Sequence, residues 1–265
     1  MIAKSARTLF LALLAFFLAA PLVVVASVSF NQTARMSFPP EHPSLVWYVT
    51  FFNDAGWMSA LVLSLFIAAS AALLSVSIAF PLCYAIWKYR SRAAKMLAVI
   101  GQVAFLLPAI VLAIVFLVFW SWLGHAGQIE DTIISHAIVF VALPLATIGL
   151  GFRSIDRAFV EAAQTMGARD GDVLRTIVRP IVTPYVISGL VFVFILSLNE
   201  YVIAYMVAGF EVETLPIKVF SSLRMGFQPT MCVGAVLYML VGIMGIGTVA
   251  AIGDLPKLLG GPGPQ

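Results

Sequence analysis

Charge is what this chain has least of. Asp, Glu, Lys and Arg make up 10% of its 265 residues, while hydrophobic residues make up 62%. Ordinary soluble domains carry about 25% charged residues. A chain of this length could not cover a soluble fold with so little charge, so the bilayer is its natural solvent. Cysteine is scarce as well. Cys83 and Cys232 sit in or at the edge of separate apolar runs, without metal-site spacing or a disulfide framework, and read as packing residues. The three histidines, His42, His125 and His136, are scattered and read as packing or interface residues. There is no G-x-x-x-x-G-K-[S/T] phosphate loop, so an ATPase would have to be a separate chain. Nothing suggests a catalytic triad, a metal cluster or a paired acid and base. The net charge of +3 includes no basic cluster interleaved with aromatics, which argues against a nucleic-acid partner.

What the chain does have is long apolar runs. Six are long enough to cross a bilayer, which needs about 20 residues. They fall near 9–30, 58–87, 97–123, 132–152, 181–208 and 231–252. The first, opened by Lys4 and Arg7, is too long for the h-region of a signal peptide, roughly 7–15 residues, and is expected to be an uncleaved span. Prolines inside the runs (Pro21, Pro81, Pro108, Pro144, Pro184) are tolerated where neighbouring helices satisfy the freed carbonyls. The expectation is one transmembrane domain over 1–265, all-α, with six helices.

Lys and Arg set the orientation. Twelve of the fifteen, including Lys88, Lys95, Arg153, Arg157, Arg179 and Lys257, fall on one side of the six runs; Arg35, Lys218 and Arg224 fall opposite. The positive-inside rule then places both termini in the cytoplasm. On the outer side, Trp47, Tyr48, Phe51, Phe52 and Trp57 suit a short helix at the membrane interface. In the second outer segment, 209–230, Pro216 is placed to start a short helix that ends before Gly226.

The cytoplasmic loop from Ser154 to Pro180 reads as an ordered helix-turn-helix. Ser154 is a suitable N-cap with Asp156 in the first turn. Ile155, Phe159, Ala162, Ala163 and Met166 recur on one helical face. Gly167 supplies a left-handed stop. Asp170 is placed to cap a second short helix, with Asp172 in its first turn and Pro180 at its end.

The stretch EAAQTMGARDGDVLRTIVRP resembles the signature of permease subunits of type I ABC importers, with Glu161, Ala162, Ala163, Gly167, Ile177 and Pro180 at the pattern positions. Arg179 stands where that family usually has Leu. The resemblance implies an inner-membrane, multi-pass bacterial permease whose cytoplasmic loop docks on an ATPase. Glu161, Ala162, Ala163, Gly167, Ala168 and Asp170 would be its coupling residues. It also implies the partners: a pair of ATPase subunits that bind ATP and Mg, a second homologous permease (or a copy of this chain) and an extracytoplasmic substrate-binding protein. No cofactor is expected in this chain, and it is not expected to be an enzyme.

Glu200 is an acid inside an expected span, where a charge costs at least about 2.5–3.5 kcal/mol. Ser197, Asn199, Glu200, Tyr201 and Tyr205 are therefore candidates for the translocation path, with a structural salt bridge or helix-break cap as the alternative for Glu200. The stretches FILSLNEYVIAYMVAG and TLPIKVFSSLRMGFQP resemble spermidine/putrescine permeases. Polyamine permeases often have two acids where this chain has Asn199-Glu200. Opine, amino-acid-like and organophosphonate importers are the alternatives within the class. An ion-coupled secondary transporter and a membrane scaffold are the rivals outside it, although the former usually shows several intramembrane ionisable groups or an internal repeat.

Overall fold

The structure is a computed structural model that describes residues 2–209 and 211–252. Lys257, counted above among the inner basic residues, lies outside them, as does the side chain of Lys4. Among the described residues every regular element is a helix, and one isolated bridge joins Asn31 and Pro43. Four helices are long and apolar enough to span a membrane, and six spans result if each of two bent pairs counts as one. Two compact units are present. Among the described residues, one takes 2–62 with Leu215–Val241 and the other takes Leu63–Thr214 with 242–252.

In the first unit, α1 (Ile2–Val28) is followed by the short helix α2 (Val46–Asn53) and the start of α3 (Ala55–Tyr89). The apolar side chains of α1, Phe10, Phe16 and Phe17 among them, are exposed, as suits a helix whose solvent is lipid. The outer aromatics are not all an interfacial belt. Phe51 and Trp57 are buried with Leu215, Met231 and Val233. Trp47 Nε1 donates to the carbonyl of Asn31 at 2.7 Å, and Tyr48 shares a 2.8 Å hydrogen bond with Ser29. Phe52 keeps the expected exposure. The helix α12 (Leu215–Met225) begins around Pro216, and Gly226 follows it at φ +140°.

In the second unit, small residues line one face of α3. Ser64, Ala68, Ala71, Ala72, Ser75 and Ala79 are buried at helical spacing, and Ser75 Oγ donates to the carbonyl of Ala137 at 2.9 Å. Lipid is as apolar as leucine, so helices in a membrane associate through close packing rather than hydrophobic transfer, and small residues permit the approach. The same logic brings α7 (Ala142–Arg153) against α10 (Arg179–Asn199). A β-carbon on Gly189 would lie 2.7 Å from Thr147 Oγ1 and 3.0 Å from Pro144 Cα.

The apolar runs bend where the sequence alone suggests continuity. The run 97–123 is two helices, α4 (Arg92–Ala104) and α5 (Ala109–Trp122), bent by 112°. Pro108 sits at the N-cap of α5 and has no N–H to continue α4. A second bend, of 46°, separates α6 (Ile129–Phe140) from α7. There the Pro144 ring would meet the carbonyl of Phe140 in an unbroken helix.

The 154–180 loop departs from the expected helix-turn-helix in three ways. First, the N-cap of α8 (Arg157–Thr165) is Asp156, whose carboxylate accepts from Ala158 N at 2.9 Å. Ser154 instead follows α7 and donates its hydroxyl to the Gly151 carbonyl. Second, Phe159 and Met166 are exposed, and the packed side of α8 is Val160 and Ala163. Third, Pro180 ends nothing. The short helix α9 (Asp170–Val173) runs through a wide π turn at Leu174–Val178 into α10, giving a continuous 30-residue helix to Asn199. In a regular α-helix the Pro180 ring would clash with the carbonyl of Thr176, and the wider turn relieves that clash.

Candidate functional site

Two places in the second unit gather the candidate residues. The first is the tip and base of the 154–180 loop. At the C-terminus of α8, Gly167 has φ +90°. Its N–H bonds to the Gln164 carbonyl, and the N–H of Ala168 reaches the Ala163 carbonyl, both at 3.0 Å. This pair of bonds is a Schellman motif, which places Ala163 and Ala168 side by side. Both pack on the apolar cluster that holds Phe152, Ile155 and Val173. Glu161 and Ala162 are exposed.

Asp170 is not an N-cap. Arg169 holds that position, and its N–H donates to Asp172 at 2.9 Å. Asp170 instead forms an ion pair with Lys88, Nζ to Oδ2 2.7 Å, at the end of α3. Arg157 donates to the carbonyl of Trp87 at 3.3 Å. These two contacts tie the loop to α3 on either side of a cavity of about 240 Å³, into which Glu161 and Gln164 also face.

The second place is the break between α10 and α11 (Val202–Ala208). Glu200 takes an extended conformation (φ −74°, ψ 127°) there. Its carboxylate accepts from Ile203 N at 2.8 and 3.0 Å and from Ala204 N at 3.0 Å, satisfying the free donors that open α11. His136, on α6, donates from Nε2 to Glu200 Oε2 at 3.1 Å, and its Nδ1 shares a 2.8 Å hydrogen bond with the Ser197 hydroxyl. The imidazole is 1% exposed and the Glu200 side chain 8%. Asn199 points outward and donates to the Ile195 carbonyl. Tyr201 and Tyr205 stack with ring centroids 5.4 Å apart, half-buried.

A third polar pair sits in the turn before α6. His125 donates from Nδ1 to the buried Asp131 at 2.6 Å, and Asp131 also accepts the N–H of Gln128. The hydrogen bond to the Asp131 carboxylate raises the His125 pKa above its ordinary value.

The family described as the binding-protein-dependent transport system inner membrane component matches residues 78–253. The chain belongs to that family. It is 32% identical over 237 residues to the putrescine transport system permease protein PotI of Escherichia coli, covering 87% of this chain and 83% of PotI. It is 27% identical over 223 residues to the spermidine/putrescine permease PotC of Haemophilus influenzae, covering 84% and 86% of the two chains. A crystal structure of a bacterial ABC transporter for alginate import has a similar fold, with a TM-score of 0.69, 19% identity and 95% of each chain covered.

The chain is therefore the all-α, multi-pass inner-membrane permease subunit of a type I ABC importer. It translocates a small polar solute received from an external binding protein. It works with ATPase subunits, a second permease and the bilayer, and ATP hydrolysis resides in the ATPase rather than in this permease.

Of the residues singled out in the sequence, Ser197 and Glu200 meet in one buried network, and Tyr201 pairs with Tyr205. Asn199 stands apart from both. Sequence reasoning missed His136, Lys88, Asp156 and Arg157 as partners. Asp156 could have been found, since Asp two residues after Ser154 is as good a cap as Ser. His136 carried no signal, because nothing in spacing links it to a residue 64 positions away.

Proposed function

We propose that this permease imports a polyamine of the spermidine/putrescine class. The identity to PotI and PotC over more than four-fifths of the chain carries the reading. The stacked faces of Tyr201 and Tyr205 support it, because aromatic faces attract organic cations without a free carboxylate. The path runs past the α10–α11 break, with Asn199, Tyr201 and Tyr205 along it and Ser197 and Glu200 fixing the shape of the break. An opine, an amino-acid-like compound or an organophosphonate is the alternative cargo.

The whole chain acts as one transmembrane domain with both termini in the cytoplasm. Its 154–180 loop seats in the ATPase through Glu161, Ala162, Ala163, Gly167, Ala168 and Asp170. The binding protein docks on the outer segment 209–230. The second permease is a homologue or a copy of this chain. The Schellman turn at Gly167 supports the loop assignment, because it presents a capped helix end that resists fraying.

The test is uptake into vesicles that contain the permease, its ATPase and its partner permease, with binding protein supplied outside. ATP-dependent accumulation of labelled putrescine or spermidine is expected. Accumulation of a phosphonate or opine with no polyamine uptake would replace the substrate class. In a background without Cys83 and Cys232, a cysteine at Ser37 should react with an impermeant thiol reagent in intact cells and one at Gln164 only after lysis; labelling of Gln164→Cys in intact cells would overturn the orientation.

A further inference from the structure

A cleft lies among α3, α4, α7 and the start of α8. Its volume is about 580 Å³, within the roughly 300–1,000 Å³ of small-molecule sites. Its lining is of two kinds. Leu145, Phe152 and Ile155 form a buried apolar floor, and Val99 is half-exposed at the edge. Lys95, Arg153 and Arg157 stand at the mouth, and none of the lining residues is acidic. Among the described residues none of these three cations is in an ion pair, in contrast to nearby Lys88, which is held by Asp170.

The three cations come from helix ends that a membrane-spanning fold puts at one water boundary. Lys95 is in the first turn of α4, Arg153 ends α7 and Arg157 opens α8. The bond from Arg157 to the Trp87 carbonyl holds its guanidinium at the mouth. In a chain whose solvent is lipid, an apolar floor under a rim of cations without acidic partners matches one ligand chemistry, a phosphate carried on acyl chains. A soluble anion would not use the floor, and a zwitterionic headgroup would not use all three cations.

We infer that this cleft is a binding site for an anionic phospholipid, with the headgroup phosphate on Lys95, Arg153 and Arg157 and the upper acyl chain against Val99 and Phe152. The naming of the leaflet as cytoplasmic rests on the proposed orientation; the site itself does not. Because Arg153 ends α7 and Arg157 opens the ATPase-docking loop, a lipid here would brace the loop from the side opposite the Lys88–Asp170 pair.

Gly149 provides a test that leaves every cation in place. A β-carbon added there meets no atom within 4 Å and Gly149 lines the cleft, so Gly149→Leu places its side chain in the space the lipid would use. The complete transporter, purified in mild detergent, would be incubated with equal amounts of phosphatidylglycerol and phosphatidylcholine and read by native mass spectrometry. Preference for phosphatidylglycerol is expected, falling about thirtyfold in the Lys95→Gln/Arg153→Gln variant, the scale that two basic residues supply. Gly149→Leu should lose retention while melting like the parent. Three results would each overturn the inference: no preference in the parent, full retention in both variants, or displacement of the lipid by millimolar inorganic phosphate alone. Loss of the ATPase from the Lys95→Gln/Arg153→Gln complex with lipid retention intact would also overturn it, since the cations would then serve the neighbouring subunit. The readout needs no solute, so failure of the polyamine assignment would leave it standing.

Discussion

Replacing His136 with alanine measures how firmly the break between α10 and α11 is held. The imidazole and the Glu200 side chain are 1% and 8% exposed, so water cannot substitute for what is removed. Two groups lose a partner: Glu200 Oε2 at 3.1 Å and the Ser197 hydroxyl at 2.8 Å. A buried polar group left unsatisfied costs about 1–3 kcal/mol, and removing one partner of a buried pair that carries charge about 3–5 kcal/mol. The N–H groups of Ile203 and Ala204 remain on the carboxylate, which places the expected loss near the lower bound, about 3 kcal/mol. For a chain of this size that corresponds to a fall in Tm of about 6–12 °C. Glu200→Gln keeps one carbonyl oxygen for the cap and should cost less, about 1–2 kcal/mol. The two changes act on one network, so the double variant should fall short of their sum by more than about 0.5 kcal/mol, the limit for independent sites. Thermal unfolding of the purified complex, followed by tryptophan fluorescence, reads all three. If His136→Ala melts with the parent, or if the two losses simply add, the network does not hold the break and the physical account of Glu200 is wrong.

Gly167→Val should abolish ATP-driven uptake while leaving membrane insertion unchanged, because φ +90° costs a branched residue about 1–2 kcal/mol at the loop tip; normal uptake would refute the docking role. Gly189→Val should destabilise by about 1–3 kcal/mol, since the Pro144 backbone cannot retreat. Gly149→Ala, open to space on the α7 helix, should be neutral or stabilising by up to about 1 kcal/mol, and equal losses at both glycines would refute the packing argument. The raised pKa of His125 means the fold favours its protonated form. Its contribution is therefore full below about pH 6.5 and fades as pH rises through the higher folded value. Melting from pH 5.5 to 9 should show that slope, and Asp131→Asn should flatten it; Glu130, 3.7 Å from Nε2, supplies a weaker remainder.

Hydropathy located the membrane-length runs because lipid demands about 20 apolar residues whatever the packing. It could not show where the runs bend. Pro108 and Pro144 were visible as residues, but a proline kinks one helix and is absorbed by another, and only the neighbours decide which. Pro180 shows the converse. It looked like a terminator, yet a wider turn accommodates it inside a continuous helix. In the candidate site, local signals were legible and long-range ones were not. Gly167 was readable because a helix stop is a local event. The partnership of Glu200 with His136, and of Asp170 with Lys88, joins residues 64 and 82 positions apart through contacts that no periodicity encodes.

The π turn at Leu174–Val178 has a mechanical consequence. Because it carries the chain through without a hinge, the foot of the 154–180 loop and the membrane helix that follows it are one rod of 30 residues. At 1.5 Å per residue the rod is about 45 Å long. Pivoted near its foot, a tilt of about ten degrees would sweep its far end through about 8 Å at that length. That far end is Asn199, one residue before the clasped break. A modest stroke delivered below the membrane would thus arrive enlarged beside Tyr201 and Tyr205, with Lys88 and Asp170 acting as the bearing on which the lever turns.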